Sequence, residues 1–365
     1  MWPYILLILI IFFIQFEFNS ERKERIRFAI GISLLFLFAA LRGVSNGDYT
    51  AYLLRGKEID SLYKIFNNNT HMEIGYSILY YFINLLHLPE QTIIMTMNLI
   101  SIGCMSKFIK KYSANRCLSL LLFLPLYFQF DMQAARTAVA ISICLMGITY
   151  VLDRKFLHFC AIIFLAMLFH RSAVIVLPIY FLMNFHINLV IGGIAIISSM
   201  CFVTFVGVDR TILSILQILK FDSFYVRYYG YISSEEFGYR FSLFDPRLLI
   251  CILIYIVAKL ACKRVSKLEN LLINISLVNV LIMVLFSEHT IFCCRLSAFY
   301  NVYSIVLVPI VLKKVYVIQM NRSRNRAIRC NRELSLLINI FYAMYSMAYA
   351  YVCFIALGLD YKLFF

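Results

Sequence analysis

Apolar runs recur along the whole chain with polar breaks between them, and a run of about 20 residues crosses a bilayer as a helix. The pattern predicts crossings over residues 2–18, 26–41, 92–108, 117–130, 132–151, 156–169, 173–185, 189–206, 248–262, 271–286, 291–312 and 334–357. That is an all-α polytopic integral membrane protein of about 12 transmembrane helices, forming one transmembrane domain over residues 1–365. Lys and Arg in short loops mark the cytoplasmic side. Basic breaks lie at residues 22–27, 107–116, 259–267 and 313–332, the last with seven Lys/Arg and no acid, and a smaller one lies at 153–155. Placing them all inside puts both termini outside. A thirteenth crossing at 73–88 would strand a basic cluster on the wrong side, so that run reads as a short re-entrant or surface helix. Two long segments, 42–72 and 207–247, then become large outside loops, a length that marks function or disorder.

Composition narrows the class. Hydrophobic residues make up 62% of the chain and charged ones 15%, with mean hydropathy +0.84, outside the range of soluble domains. The formal charge of +15 sits mainly in the breaks between apolar runs, which points to topology and anionic lipid and away from nucleic acid. The eleven cysteines are scattered without a C-x-x-C pair or a histidine at zinc spacing, so neither a disulfide framework nor a metal is expected, and Cys293–Cys294 read as packing residues. Residues 1–18 lack a basic leader and a small-residue cleavage site, which reads as a first transmembrane helix and not a removable signal. No nucleotide-binding loop, nucleophile elbow or H-E-x-x-H occurs.

The chemistry is concentrated in a few polar positions within this apolar background. In F-D-M-Q-A-A-R-T-A-V-A, from Phe130, Arg136 lies inside an apolar run, where an arginine at a helix centre costs about 2.5–3.5 kcal/mol. A helix over 132–151 would align Gln133, Arg136, Thr137 and Ala140 on one polar or small face. Either Arg136 faces an anion site in a cavity or it snorkels to a headgroup. The topology sets Asp48, Glu73, Asp131, Arg136, His170, Arg171, Glu288, His289 and Arg295 near the outer surface on different helices. Residues that merely snorkelled would be spread over both faces. Arg42, Asp48, Tyr49 and Tyr52 could present a cation, a carboxylate and two rings to a sugar, and Glu73 and Tyr76 follow the same logic; helix-exit and helix-start roles are the plainer alternatives. His170 could be a general base or a hydrogen-bonded helix end. Residues 221–244 hold ten aromatic residues, among them Tyr225, Tyr228, Tyr229, Tyr231 and Tyr239, interleaved with Arg227 and Arg240. Such a set suits sugar stacking or the membrane interface. Glu235–Glu236 reads as a solvated loop tip.

Five segments carry a family resemblance: R-G-V-S-N-G-D-Y-T-A-Y from Arg42, E-I-G-Y from Glu73, Q-A-A-R-T-A-V-A from Gln133, F-H-R-S-A-V-I-V-L-P from Phe169 and R-L-S-A-F-Y from Arg295. In this order they resemble the Wzy-type polysaccharide polymerases, specifically the EpsG-like branch. The resemblance implies a polyprenyl-phosphate-using, GT-C-like glycosyltransferase architecture in the bacterial inner membrane. It further implies the joining of repeat units carried on undecaprenyl diphosphate, at the periplasmic side, for O-antigen, capsule or exopolysaccharide.

On that resemblance a growing glycan is transferred, with inversion, from its lipid diphosphate to a hydroxyl of a new lipid-linked repeat unit. Arg136 and Arg295 are expected to stabilise the leaving diphosphate, with Arg42 and Arg171 next. His170, then Asp48 and Glu288, are the candidate bases. Tyr49, Tyr52, Glu73, Tyr76 and Gln133 are candidate substrate contacts. No cofactor or metal is called for. Expected partners are the undecaprenyl-diphosphate-linked oligosaccharide and membrane lipids, with a chain-length regulator and a flippase as further candidates. An O-antigen ligase, a lipid-linked oligosaccharide flippase and a membrane acyltransferase modifying the glycan are the competing readings.

Overall fold

A computed structural model of the protein describes residues 2–15, 21–43, 48–67, 72–233, 242–262, 265–320, 324–355 and 361–363. Glu235, Glu236, Tyr239, Arg240 and residues 44–47 of the Arg42 segment lie outside the described residues. The described chain is helical: α1 (Trp2–Ile14), α2 (Glu21–Ala40), α3 (Tyr49–Gly56), α4 (Leu62–Phe66), α5 (Ile74–Leu85), α6 (Thr92–Tyr112), α7 (Arg116–Leu126), α8 (Ala135–Met146), α9 (Ile148–Leu152), α10 (Phe156–Met167), α11 (Ile179–Leu182), α12 (Leu189–Phe205), α13 (Val208–Ile218), α14 (Asp222–Ile232), α15 (Pro246–Ala261), α16 (Lys267–Leu285), α17 (Thr290–Asn301), α18 (Ser304–Met320) and α19 (Arg324–Ala350).

Among the described residues, four helical stretches are long and apolar enough to cross a membrane: Thr92–Tyr112, Ala135–Leu152, Lys267–Leu285 and Glu333–Phe354. Two bent pairs, α12 with α13 (73°) and the Phe292–Asn301 part of α17 with α18 (48°), bring the number to six if each pair is one span. The twelve apolar runs are therefore not twelve unbroken helices. Local chemistry explains several of the breaks. Pro125 sits inside α7, where it removes a backbone donor, and α7 runs on as a π-helix, Tyr127–Asp131. The run expected at 173–185 is a 3-10 helix, Arg171–Val176, followed after Pro178 by a single turn, α11. The basic breaks also differ from expectation. Arg22–Arg27 lie in the first turns of α2, and Lys107, Lys110 and Lys111 in the last turns of α6, because Lys and Arg are good helix formers. The run at 73–88 is the 12-residue α5, at about 18 Å shorter than the hydrocarbon core. The two long outside segments hold helices, α3 and α4 in one and α13 and α14 in the other.

Contacts group the helices into two compact units, residues 1–177 with 308–365, and residues 178–307. In the first, α6 packs on α8 and α2, α8 also packs on α10, and α7 packs on α2 and α19. The small helices pack close to this layer. A Cβ on Gly56 would fall 1.9–2.2 Å from the Tyr80 ring, which is fully buried and donates its hydroxyl to the Leu53 carbonyl at 3.3 Å. Only glycine fits. Gly56→Ala should lower the melting temperature of the detergent-solubilised protein, because overpacking costs about 1–3 kcal/mol; an unchanged transition would mean that Tyr80 repacks freely. In the second unit α16 packs on α12, α15 and α17. A Ser266–Glu269 capping box starts α16. Its Asn270 and Asn274 donate to the Phe185 carbonyl (2.9 and 2.8 Å), satisfying a backbone group just past α11.

Candidate functional site

The described part of the Arg42 segment, the E-I-G-Y segment and the Q-A-A-R segment meet in the first unit. Helix α8 begins at Ala135, later than the expected 132, because the chain turns through Met132–Ala134 after the π-helix. Gln133 therefore lies off the helix and does not share the Arg136 face, whereas Thr137 and Ala140 remain on α8 and are buried. The Gln133 amide donates to the Cys353 carbonyl at 2.8 Å, and its own carbonyl accepts the Asp48 N–H at 3.3 Å.

Arg136 sits in the first turn of α8, where the helix end already carries partial positive charge. It is met by two carboxylates: Nη1 donates to Glu73 Oε2, and Nη2 lies 3.8 Å from Asp48 Oδ2. The guanidinium carbon stands 5.4 Å from the centroid of the Tyr52 ring, a cation–π contact. The Tyr52 hydroxyl accepts the Arg136 backbone N–H at 3.3 Å and donates to Asp48 Oδ2 at 3.0 Å. Burial, reinforced by the Asp48 carboxylate, raises the phenol above its ordinary value, so it stays protonated as a donor. Glu73 is the residue before α5, and Gly75 sets its position. The Gly75 N–H donates to the Leu168 carbonyl at 2.7 Å, an approach that brings α5 against the end of α10.

Asp48, Glu73 and Arg136 are thus brought together, with Tyr52 beneath them. The three candidate tyrosines are packed away and do not offer open platforms: Tyr49, Tyr52 and Tyr76 are 3%, 0% and 0% exposed. Tyr49 donates to Gln91, and Tyr76 to the Tyr52 carbonyl. Arg42 lies in the interior, 1% exposed. It donates from Nη1 to the Asp131 carbonyl at 2.6 Å, serving a carbonyl that the end of the π-helix leaves free. Asp131, also buried, accepts from Ser101 at 2.6 Å. His170 takes the helix-end role: it precedes the 3-10 helix, and its Nδ1 accepts the Ser172 N–H at 3.3 Å. Arg171 beside it is exposed.

Glu288, His289 and Arg295 belong to the second unit. Glu288 accepts the Asp209 N–H at 3.1 Å in the first turn of α13, an N-terminal cap favoured by the helix dipole. His289 Nε2 lies 2.7 Å from Asp209 Oδ2, and Tyr228 donates to Asp209 Oδ1 at 2.6 Å. Sequence reasoning passed over Asp209, because nothing local marks an aspartate that meets a histidine 80 positions later. Arg295, on α17, is exposed. No group of three or more His, Cys, Asp or Glu side chains suited to a metal occurs among the described residues.

Comparison with curated proteins and with solved structures returns no match. A family model described as EpsG family does match, over residues 25–362. That span takes in all five resembling segments, all of the second unit and most of the first, and the chain belongs to the EpsG family.

Proposed function

We propose that this protein is a polysaccharide polymerase of the bacterial inner membrane. It transfers a growing glycan from undecaprenyl diphosphate to a new lipid-linked repeat unit, with inversion and on the periplasmic side. Membership of the EpsG family supports the class of reaction. The observation that carries the site is the meeting of Arg136 with Asp48 and Glu73 from three separate segments. Arg136 has donor capacity to spare: Nη2 holds Asp48 only at 3.8 Å. That nitrogen suits the charge that grows on a departing diphosphate. Arg295 and Arg171, both exposed, are the further diphosphate candidates.

The test is the glycan pattern of a strain lacking the protein. A single repeat unit on the acceptor in place of a ladder is the expected result. Bare acceptor would assign the protein to a ligase or flippase, and an unchanged ladder removes all three. A second reading, acyl transfer to the glycan, draws on the His289–Asp209 pair in the second unit. It predicts a ladder of normal length that lacks ester-linked groups.

A further inference from the structure

We infer that Asp48 is the base that takes the proton from the acceptor sugar hydroxyl, and that Tyr52 positions it. The inference rests on the polymerase reading. In the first unit the cluster holds two carboxylates against one guanidinium, and their surroundings differ. Glu73 is bound to Arg136 Nη1, and its side chain is 15% exposed. Asp48 is 40% exposed and holds Arg136 only at 3.8 Å. Its Oδ2 is fixed by the Tyr52 hydroxyl at 3.0 Å, and the ion pair with Arg136 runs through the same oxygen, which leaves Oδ1 as the oxygen to accept a proton.

The other acid–base groups of this unit that sequence reasoning set near the site are committed elsewhere. His170 uses Nδ1 to hold the Ser172 N–H, and Asp131 is sealed in the interior by Ser101. A carboxylate base on the face opposite the leaving group is the arrangement of inverting glycosidases; a diphosphate leaves as a stable anion, so the acid those enzymes need for the leaving oxygen is not required. The step balances. The acceptor O–H proton passes to Asp48 Oδ1 as the hydroxyl oxygen bonds to the anomeric carbon. The bond from that carbon to the diphosphate oxygen breaks, its electron pair leaving with the diphosphate.

The experiment measures elongation by the full-length protein in membranes, using the lipid-linked repeat unit purified from the producing strain. Asp48→Asn keeps the shape and the Tyr52 contact, and should lower kcat by about 10²–10⁴-fold, the usual worth of a positioned base, with KM little changed. Tyr52→Phe should lower kcat by about 5–10-fold, one lost hydrogen bond, again with KM unchanged. Added formate should restore at least part of the rate of Asp48→Ala and none of the rate of Arg136→Ala. Normal elongation by Asp48→Asn beside a slow Arg136→Ala overturns the base assignment and leaves the polymerase reading standing. So does a membrane-inserted Asp48→Ala that formate does not rescue. Normal elongation by both Asp48→Asn and Arg136→Ala removes the reading together with the inference.

Discussion

Arg136→Ala should abolish chain elongation, with a loss of about 10²–10³-fold or more, the scale seen when one preorganised donor to a developing anion is removed. The side chain sits where three segments meet and contacts two carboxylates and the Tyr52 ring. The single substitution has a second effect. It leaves Glu73, 15% exposed, without its partner, and breaking such a pair costs about 3–5 kcal/mol. Loss of elongation could then reflect loss of the folded site. The two effects separate in the double variant Arg136→Met with Glu73→Gln, which removes both charges and keeps both volumes. Its amount in the membrane and its thermal transition should return close to those of the parent, while elongation stays lost. Arg136→Lys should also be slow, because one ammonium cannot span Glu73, Asp48 and a diphosphate as a guanidinium does. A double variant that elongates at the parental rate would show that Arg136 serves only as a counter-ion to Glu73.

Why Arg136 was visible in the sequence, and its neighbours only partly so, follows from range. An arginine in an apolar run declares itself, because burial there is costly unless something offsets it. The runs themselves were legible for the same reason, and they gave the helical class. Their breaks were not. Pro125 is plain to see, but the π-helix that follows it and the late start of α8 at Ala135 depend on how α6, α7 and α8 pack, and that shift took Gln133 off the Arg136 face. Charged ends misled in another way: α2 and α6 carry their basic residues as continuing helix, since a helix does not stop where hydrophobicity does. The site residues divided along the same line. Asp48 and Glu73 stand out as charges beside an apolar run, and they do meet Arg136. Arg42 stands out by the same rule, yet it is turned inward to the Asp131 carbonyl. Asp209, whose partner lies 80 residues away, left no local trace.

Gly75→Ala should be nearly as damaging to elongation as the loss of Arg136, although residue 75 touches none of the charged groups. A Cβ at this position would lie 2.8 Å from the Leu168 carbonyl oxygen and 3.0 Å from its carbon. Both are backbone atoms, so no rotamer change relieves the clash. Either the start of α5 or the end of α10 has to move, and the 2.7 Å bond from the Gly75 N–H to the Leu168 carbonyl lengthens. Glu73 lies two residues before Gly75, so the movement reaches the Glu73–Arg136 contact directly. A displacement of about 1 Å at such a site costs on the order of 10²-fold in rate. Gly103→Ala, on α6, is the matched control: a Cβ there meets nothing within 4 Å, and alanine in a helix interior is favoured over glycine by about 1 kcal/mol. Measured side by side for membrane amount and elongation, Gly103→Ala should match the parent in both. Gly75→Ala should keep most of its membrane amount and lose elongation about 10²-fold. Equal elongation by the two variants would show that the E-I-G-Y approach to Leu168 does not set the geometry of Arg136 and its carboxylates.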